Sequence, residues 1–203
     1  MKITYIGHAC FKVEEEGYSL VLDPYKDGSV PGYGNVREKA NEVLCSHLHG
    51  DHGAVENVEI IDGDTSPFMI TLLTANHDDQ GGALRGKSNI TIMQSKKYKV
   101  AHLGDLGEPL NEQQLIALSD LDVLLIPVGG HYTIDAKQAS DLVKILKPRI
   151  TIPMHYRTSQ FGYEVIGTLD QFTQYFDTTE LNQDTLEIND EIKGVMVLKP
   201  KTL

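Results

Sequence analysis

Three of the chain's eight histidines and one aspartate fall within six residues, in Ser46-His47-Leu48-His49-Gly50-Asp51-His52, directly after the short apolar run EVLCS. A strand that ends in such a loop delivers imidazole nitrogens and a carboxylate to one place. In extended backbone, residues i and i+2 point the same way, about 6–7 Å apart. His47 and His49 are therefore spaced to converge on one metal ion, and Asp51 and His52, just beyond, can serve a second. Gly50 and Gly53 supply the backbone freedom that a tight loop needs. The plainer alternatives are a solvated polar loop and a single structural ion.

Around this loop the chain reads as strands first and strand–helix alternation later. KITYIGHACFKV alternates and is rich in β-branched and aromatic residues; a turn at EEEGYS and the run SLVLDPY complete an opening β-hairpin. KDGSVPGYGN is a loop. Further strands are expected at FMITLLTA, SNITIMQ, YKVAHLGD, DVLLIPV, RITIPMH and VMVLKP. Amphipathic helices are expected at EPLNEQQLIALSD, DAKQASDLVKIL and TLDQFTQYF, the second capped by Asp135. That order suits a layered α/β architecture of two sheets flanked by helices. No G-x-G-x-x-G lies between a strand and a helix, so a dinucleotide-binding fold is not expected.

A chain of 203 residues is long enough to bury a core without disulfides. Its net charge is −11, with no Lys/Arg run longer than two, so the basic footprint of a nucleic-acid binder is missing. No apolar run reaches the roughly eighteen residues of a membrane helix, and the N-terminus has no signal-peptide block. Cys10 and Cys45 read as buried free thiols. A cytoplasmic protein is expected.

The H-x-H-x-D-H pattern resembles that of the metallo-β-lactamase superfamily, and further elements similar to that superfamily recur in order over essentially the whole chain. The resemblance implies a four-layer αββα sandwich in one domain, residues 1–203. Asp23 in LVLDPY matches the aspartate that orients the metal-binding loop. His77 in LLTANH, Asp105 in AHLGD and His155 in TIPMH each end an apolar strand and match the remaining ligands. The implied coordination is His47, His49 and His77 on one ion, Asp51, His52 and His155 on the other, with Asp105 bridging. Two divalent ions are implied, Zn²⁺ first, with Mn²⁺ or Fe²⁺ compatible with the same donors. His49 stands where flavodiiron oxidoreductases carry glutamate, which favours hydrolysis over redox chemistry. YIGHACF, RGKSN, HLGDLG, PVGGHYTIDAKQA and IPMHY resemble the branch that contains ascorbate-phosphate lactonase. Leu106 stands where tRNA-processing and β-CASP nucleases carry threonine, so nucleic acid is the disfavoured substrate.

The activity so implied is hydrolysis of a small-molecule ester, lactone or phosphodiester, with an anionic substrate compatible. Two cations about 3.5–4 Å apart activate a water and hold the charge that develops in the transition state. Asp51 or Asp105 is expected to accept the water's proton, and His131, in GGHYTID, to donate a proton or contact substrate. His8, in a Gly-His turn, is expected to contact substrate or lie behind the ligands. Arg85 and Lys87 flank Gly86 and are placed to hold an anionic group, with solvated loop charge as the alternative reading. His102 reads as a core or supporting residue. The competing functions are an iron oxidoreductase, a non-catalytic metal-binding module and a nuclease or phosphodiesterase acting on nucleic acid. The oligomeric state is not legible.

Overall fold

The alternating opening folds into an antiparallel meander of β1 (Lys2–Gly7), β2 (Cys10–Glu15) and β3 (Tyr18–Leu22). The run expected as one strand over residues 2–13 is itself a hairpin, because the chain reverses at His8 and Ala9. The computed structural model describes residues 1–63 and 65–203. Next come β4 (Glu38–Ala40), β5 (Glu42–Leu44), β6 (Val58–Ile60), β7 (Met69–Asn76), β8 (Lys87–Gln94) and β9 (Lys99–His102). Helix α1 (Glu112–Ala117), β10 (Val123–Pro127), helix α2 (Ala136–Leu146), β11 (Ile150–Met154) and the short helix α3 (Asp170–Thr173) follow. The short strands β12 (Thr178–Glu180), β13 (Thr185–Glu187) and β14 (Gly194–Val197) come last.

These strands form a five-stranded sheet, β13-β1-β2-β3-β5, and a seven-stranded sheet, β12-β14-β11-β10-β9-β8-β7, with β4 and β6 as a separate parallel pair. Period-two alternation decides which residues lie between the large sheets. Ile3, Tyr5, Phe11, Val13, Leu20 and Leu22 of the smaller sheet share one buried cluster with Met93, Val100, Val123, Leu125, Ile150 and Ile152 of the larger. Leu124 and Ile126, of opposite parity in β10, cluster with Ala139, Leu142 and Val143 of α2 and Phe172 of α3. The result is the expected mixed α/β fold of sheets flanked by helices, consistent with an αββα sandwich. On the smaller sheet's outer side, Tyr25, Val30, Tyr33 and Val36 from the 24–37 loop, with Ala40 and Val58, join the apolar cluster.

Strand direction places the loops. In the smaller sheet β1 and β3 flank β2 in antiparallel fashion and β5 runs parallel to β3, so β1, β3 and β5 share one direction. In the larger sheet β7 and β9 flank β8 in the same way, and β10 and β11 run parallel to β9. Each set therefore gathers its C-terminal ends at a single edge of its sheet.

The helices are shorter than their sequence windows. The first, expected over 108–120, begins only at Glu112, because Asn111 caps it reciprocally with Gln114. Glu108 is held away from the helix, its carboxylate accepting from the Asn76 amide and side chain at 2.8 and 2.7 Å. The third, expected over 168–176, tightens after Gln174 into the shorter-range bonds Tyr175 N to Phe172 O and Phe176 N to Thr173 O. Asp135 caps α2 as expected, accepting from Gln138 N at 2.8 Å while Gln138 Oε1 accepts from Asp135 N at 2.9 Å. Among the described residues no helix is long and apolar enough to cross a membrane. Asp135→Ala should cost about 1 kcal/mol of stability, read as a lowered denaturant midpoint; an unshifted midpoint would show that the cap contributes nothing.

Candidate metal centre

Six strand ends deliver the site. His8 follows β1, Asp23 follows β3, and the His47–His52 loop follows β5; His77 follows β7, Asp105 lies just past β9, and His155 follows β11. Three of these residues leave their strands in left-handed backbone: His8 at φ 56°, Asp23 at 47° and His155 at 53°. Such conformations cost about 1–3 kcal/mol each and cluster at functional sites. Gly104, at φ 52°, lets the two sheet edges meet, since a Cβ there would lie 2.5 Å from Ser46 Cβ and 2.7 Å from Ser88 Oγ. A backbone bond from Asn89 N to Ser46 O, 2.9 Å, ties the histidine loop to β8.

The Asp23 carboxylate organises that loop. Its Oδ1 accepts from the Ser46 amide at 2.6 Å, and its Oδ2 accepts from the Ser46 hydroxyl at 2.6 Å and lies 2.7 Å from His52 Nδ1. These partners set tautomers. A carboxylate only accepts, so His52 carries its proton on Nδ1 and turns Nε2 into the site. The Ser46 hydroxyl has given its hydrogen to Asp23, so it accepts from His47 Nδ1 at 3.0 Å. His77 Nδ1 donates to the Tyr132 carbonyl at 3.0 Å. All three histidines thus present Nε2, the arrangement that ligating imidazoles need.

The ligand-type atoms form three overlapping groups, each with all its atoms within 4.8 Å of one another. One is His47, His49 and His77; another is His8, Asp51, His52 and His155; the third joins His47 and His52 to Asp105. Asp105 spans the first two, with Oδ1 3.2 Å from His52 Nε2 and Oδ2 3.2 Å from His77 Nε2 and 3.4 Å from His155 Nε2. Among the described residues, eight buried side-chain nitrogen and oxygen atoms have no hydrogen-bond partner, and seven of them belong to His8, His47, His52, Asp105 and His155. Donor type, convergence and unpartnered nitrogens fit divalent cations at this edge.

Electrostatics separates the histidines. Burial, then His155, pushes His8 down to about 4; burial, then His52, pushes His47 down to about 4. Burial works against the charged form of His52 too, but Asp105 and Asp23 outweigh it and raise that group well above the usual range. His77 is raised because Asp105 likewise overcomes burial. Burial would raise Asp105, yet His155 and His52 hold it well below the usual carboxylate range. Asp51 is lowered against burial by His8 and His52, and Asp23 by His52 and His102.

Of the residues singled out in the sequence, His47, His49, Asp51, His52, His77, Asp105 and His155 come together, with Asp23 behind them. His8 joins the cluster itself. His131 does not: it is exposed, its ring packed against Tyr132 at 4.5 Å. Arg85 is half-buried with its guanidinium 5.2 Å from the Tyr132 ring centroid, and Lys87 is an exposed residue opening β8. His102 is buried, with Nε2 2.8 Å from the Ala9 carbonyl. Sequence reading missed Ser46, whose position before His47 was the available signal. It also missed Tyr132 and Tyr163, which carry no motif; the Tyr163 hydroxyl donates to Ser29 O at 2.9 Å and lies 3.5 Å from Asp51 Oδ2.

The model of the beta-lactamase superfamily domain matches residues 2–155, which include every one of these ligand-type residues. The chain belongs to the metallo-β-lactamase superfamily. Its relatives in this superfamily of metal-dependent hydrolases include a UPF0173 protein of Pyrococcus abyssi, 31% identical over 183 aligned positions, covering 78% of this chain and 84% of the relative. A UPF0173 metal-dependent hydrolase of Desulforamulus reducens is 30% identical over 195 positions, covering 78% and 85%. A crystal structure from Thermotoga maritima, described as a candidate Zn-dependent hydrolase of the superfamily, is 32% identical with a TM-score of 0.76, covering 97% of each chain. The chain is a hydrolase of this superfamily.

The metal-free superfamily site has a pH signature. His8 and His47 stay neutral when folded down to about pH 4, whereas in the unfolded chain they titrate near about 6.5. Unfolding takes up protons in that window, so stability falls as pH falls through it. The raised groups, His52 and His77, stabilise fully below about pH 6.5, and their contribution is lost as pH rises through their folded values. Denaturant unfolding of chelator-treated protein between pH 4 and 9 should show maximal stability near pH 6.5. Stability that keeps rising toward pH 4 would contradict the neutral burial of His8 and His47.

Proposed function

We propose that this chain is a dinuclear metal-dependent hydrolase of a small-molecule ester, lactone or phosphodiester. The observation that carries the reading is the set of seven unpartnered ligand-type atoms at the joined sheet edges. Leaving a buried polar group unpaired costs about 1–3 kcal/mol. A cation offsets that cost for the carboxylate oxygen and for the one nitrogen of each imidazole that it engages.

In this reading His47, His49 and His77 hold one ion, Asp51, His52 and His155 hold the other, and Asp105 serves both. Imidazole and carboxylate donors suit zinc, with manganese or iron compatible. Two such ions supply a nucleophile at neutral pH and Lewis acidity at the carbonyl or phosphoryl oxygen. The protein's own groups do the positioning. Asp23 fixes the His52 tautomer, Tyr132 fixes that of His77, and Ser46 fixes that of His47. Asp51 and Asp105, both held below the usual carboxylate range, suit ligation better than proton transfer, because a general base works best near the operating pH. Tyr163, its hydroxyl raised well above the usual range chiefly by burial, stays protonated beside Asp51 and donates to the Ser29 carbonyl.

A small substrate is favoured by the net charge of −11, which opposes approach of a polyanion. The motifs that resemble the lactonase branch support a lactone or ester among the small molecules. Two thiols without a disulfide, Cys10 and Cys45, agree with a reducing cytoplasm, and the buried cluster shared by the two large sheets supports a single domain over residues 1–203. Asp105→Ala and His52→Ala should each lower turnover by about 10³-fold or more on a panel of aryl esters, lactones and bis(nitrophenyl) phosphate, with far-ultraviolet circular dichroism retained. Unchanged turnover in either variant would sink the mechanism, and activity confined to oligonucleotides would replace the small-molecule reading with a nuclease.

A further inference from the structure

His8 is fully buried, and neither of its ring nitrogens has a hydrogen-bond partner. Its backbone is fixed independently of the ring. The His8 carbonyl accepts from His155 N at 3.0 Å and from the Tyr5 hydroxyl at 3.1 Å, which closes the hairpin turn at φ 56°. The ring is thereby pressed against His155, with centroids 4.1 Å apart, and lies 5.5 Å from His52. A ring nitrogen of His8 and the ligand-type atoms of Asp51, His52 and His155 all lie within 4.8 Å of one another.

Two distances decide between a hydrogen-bonded and a ligating role. His8 Nε2 lies 3.5 Å from Asp51 Oδ2, and His52 Nε2 lies 3.8 Å from the same oxygen. Both are too long for good hydrogen bonds, whose usual range ends near about 3.2 Å. They approach the separation of roughly 3.4 Å between two donors on a tetrahedral ion with bonds of about 2.0–2.1 Å. A histidine kept only for packing would leave two buried nitrogens unpaired, which is costly.

Building on the dinuclear reading, we propose that His8 is a ligand of the second cation, completing a set of His8, Asp51, His52 and His155. The two positions then differ in kind. With the shared Asp105, the second would have five protein donors, three of them fully buried histidines, and be the tighter site. The first would have three histidines and the shared Asp105, with His49 exposed, and is the more accessible of the two. The sequence motif alone hides this ligand, because His8 lies outside it, at the tip of the first hairpin.

The test is calorimetric titration of Zn²⁺ into the chelator-stripped full chain and its His8→Asn and His8→Gln variants. Asparagine tolerates the left-handed backbone of this turn. The unsubstituted protein should bind two equivalents. In both variants the tighter equivalent should weaken by about 100-fold or more, with the other retained and a smaller zinc-induced rise in melting temperature. Two unchanged equivalents in the variants would overturn the assignment of His8 while leaving the dinuclear reading standing. Failure of the unsubstituted protein to bind a second equivalent would overturn both. Should the variants fail to fold, ¹⁵N shifts of the histidine rings in the unsubstituted protein decide. One His8 nitrogen must move on zinc loading, and an unmoved His8 ring overturns the proposal.

Discussion

The buried Asp23 carboxylate accepts from the Ser46 amide and hydroxyl and from His52 Nδ1, and those three bonds fix the loop that carries His47, His49, Asp51 and His52. Hydrogen bonds to a charged group are worth about 1.5–3 kcal/mol each, enough to hold a loop that has little apolar anchorage. The same carboxylate sets two tautomers, that of His52 directly and that of His47 through the Ser46 hydroxyl. The two sheets are tied beside it by His102 at the end of β9, whose Nε2 donates to the Ala9 carbonyl at 2.8 Å. Without Asp23, the loop nitrogens would have no reason to point at one spot.

Why so many titratable groups converge follows from strand direction. Three like-directed strand ends in the smaller sheet meet three in the larger, and polar residues that would be solvated singly are buried together. Burial pushes His8 and His47 toward the neutral form, while Asp105 and Asp23 pull His52 toward the charged one. The metal-free cluster thus offsets its own carboxylates with a retained proton on His52. A cation does this better, since it replaces that proton and also engages nitrogens that have no partner. Metal uptake is accordingly expected to release protons.

Much of this was legible in the sequence for a physical reason. Apolar runs that end in His or Asp mark strand termini whose polar residue cannot continue into a core, as with TIPMH and LLTANH. The amphipathic period of DAKQASDLVKIL and its capping aspartate gave α2 nearly to the residue. Three-residue strands such as β4, β6, β12 and β13 carry too few residues to show a period. The hairpin hidden in KITYIGHACFKV escaped because alternation continues across the turn, and only His8 in left-handed backbone breaks it. His131 shares the Gly-rich strand-end setting of the clustered residues, yet its neighbour Tyr132 supplies the contact to His77, through a backbone carbonyl that no side-chain pattern reveals. Tyr163 reaches the site from a loop whose course depends on tertiary packing.

The proposal on which the rest depends is that this sheet edge holds two divalent ions. Elemental analysis of purified, tag-free protein, quantifying each transition metal per chain, tests it most directly. Close to two equivalents per chain are expected, zinc foremost, falling in a His52→Ala variant. A protein that carries no metal, and takes up none when zinc, manganese or iron is supplied after chelation, would contradict it.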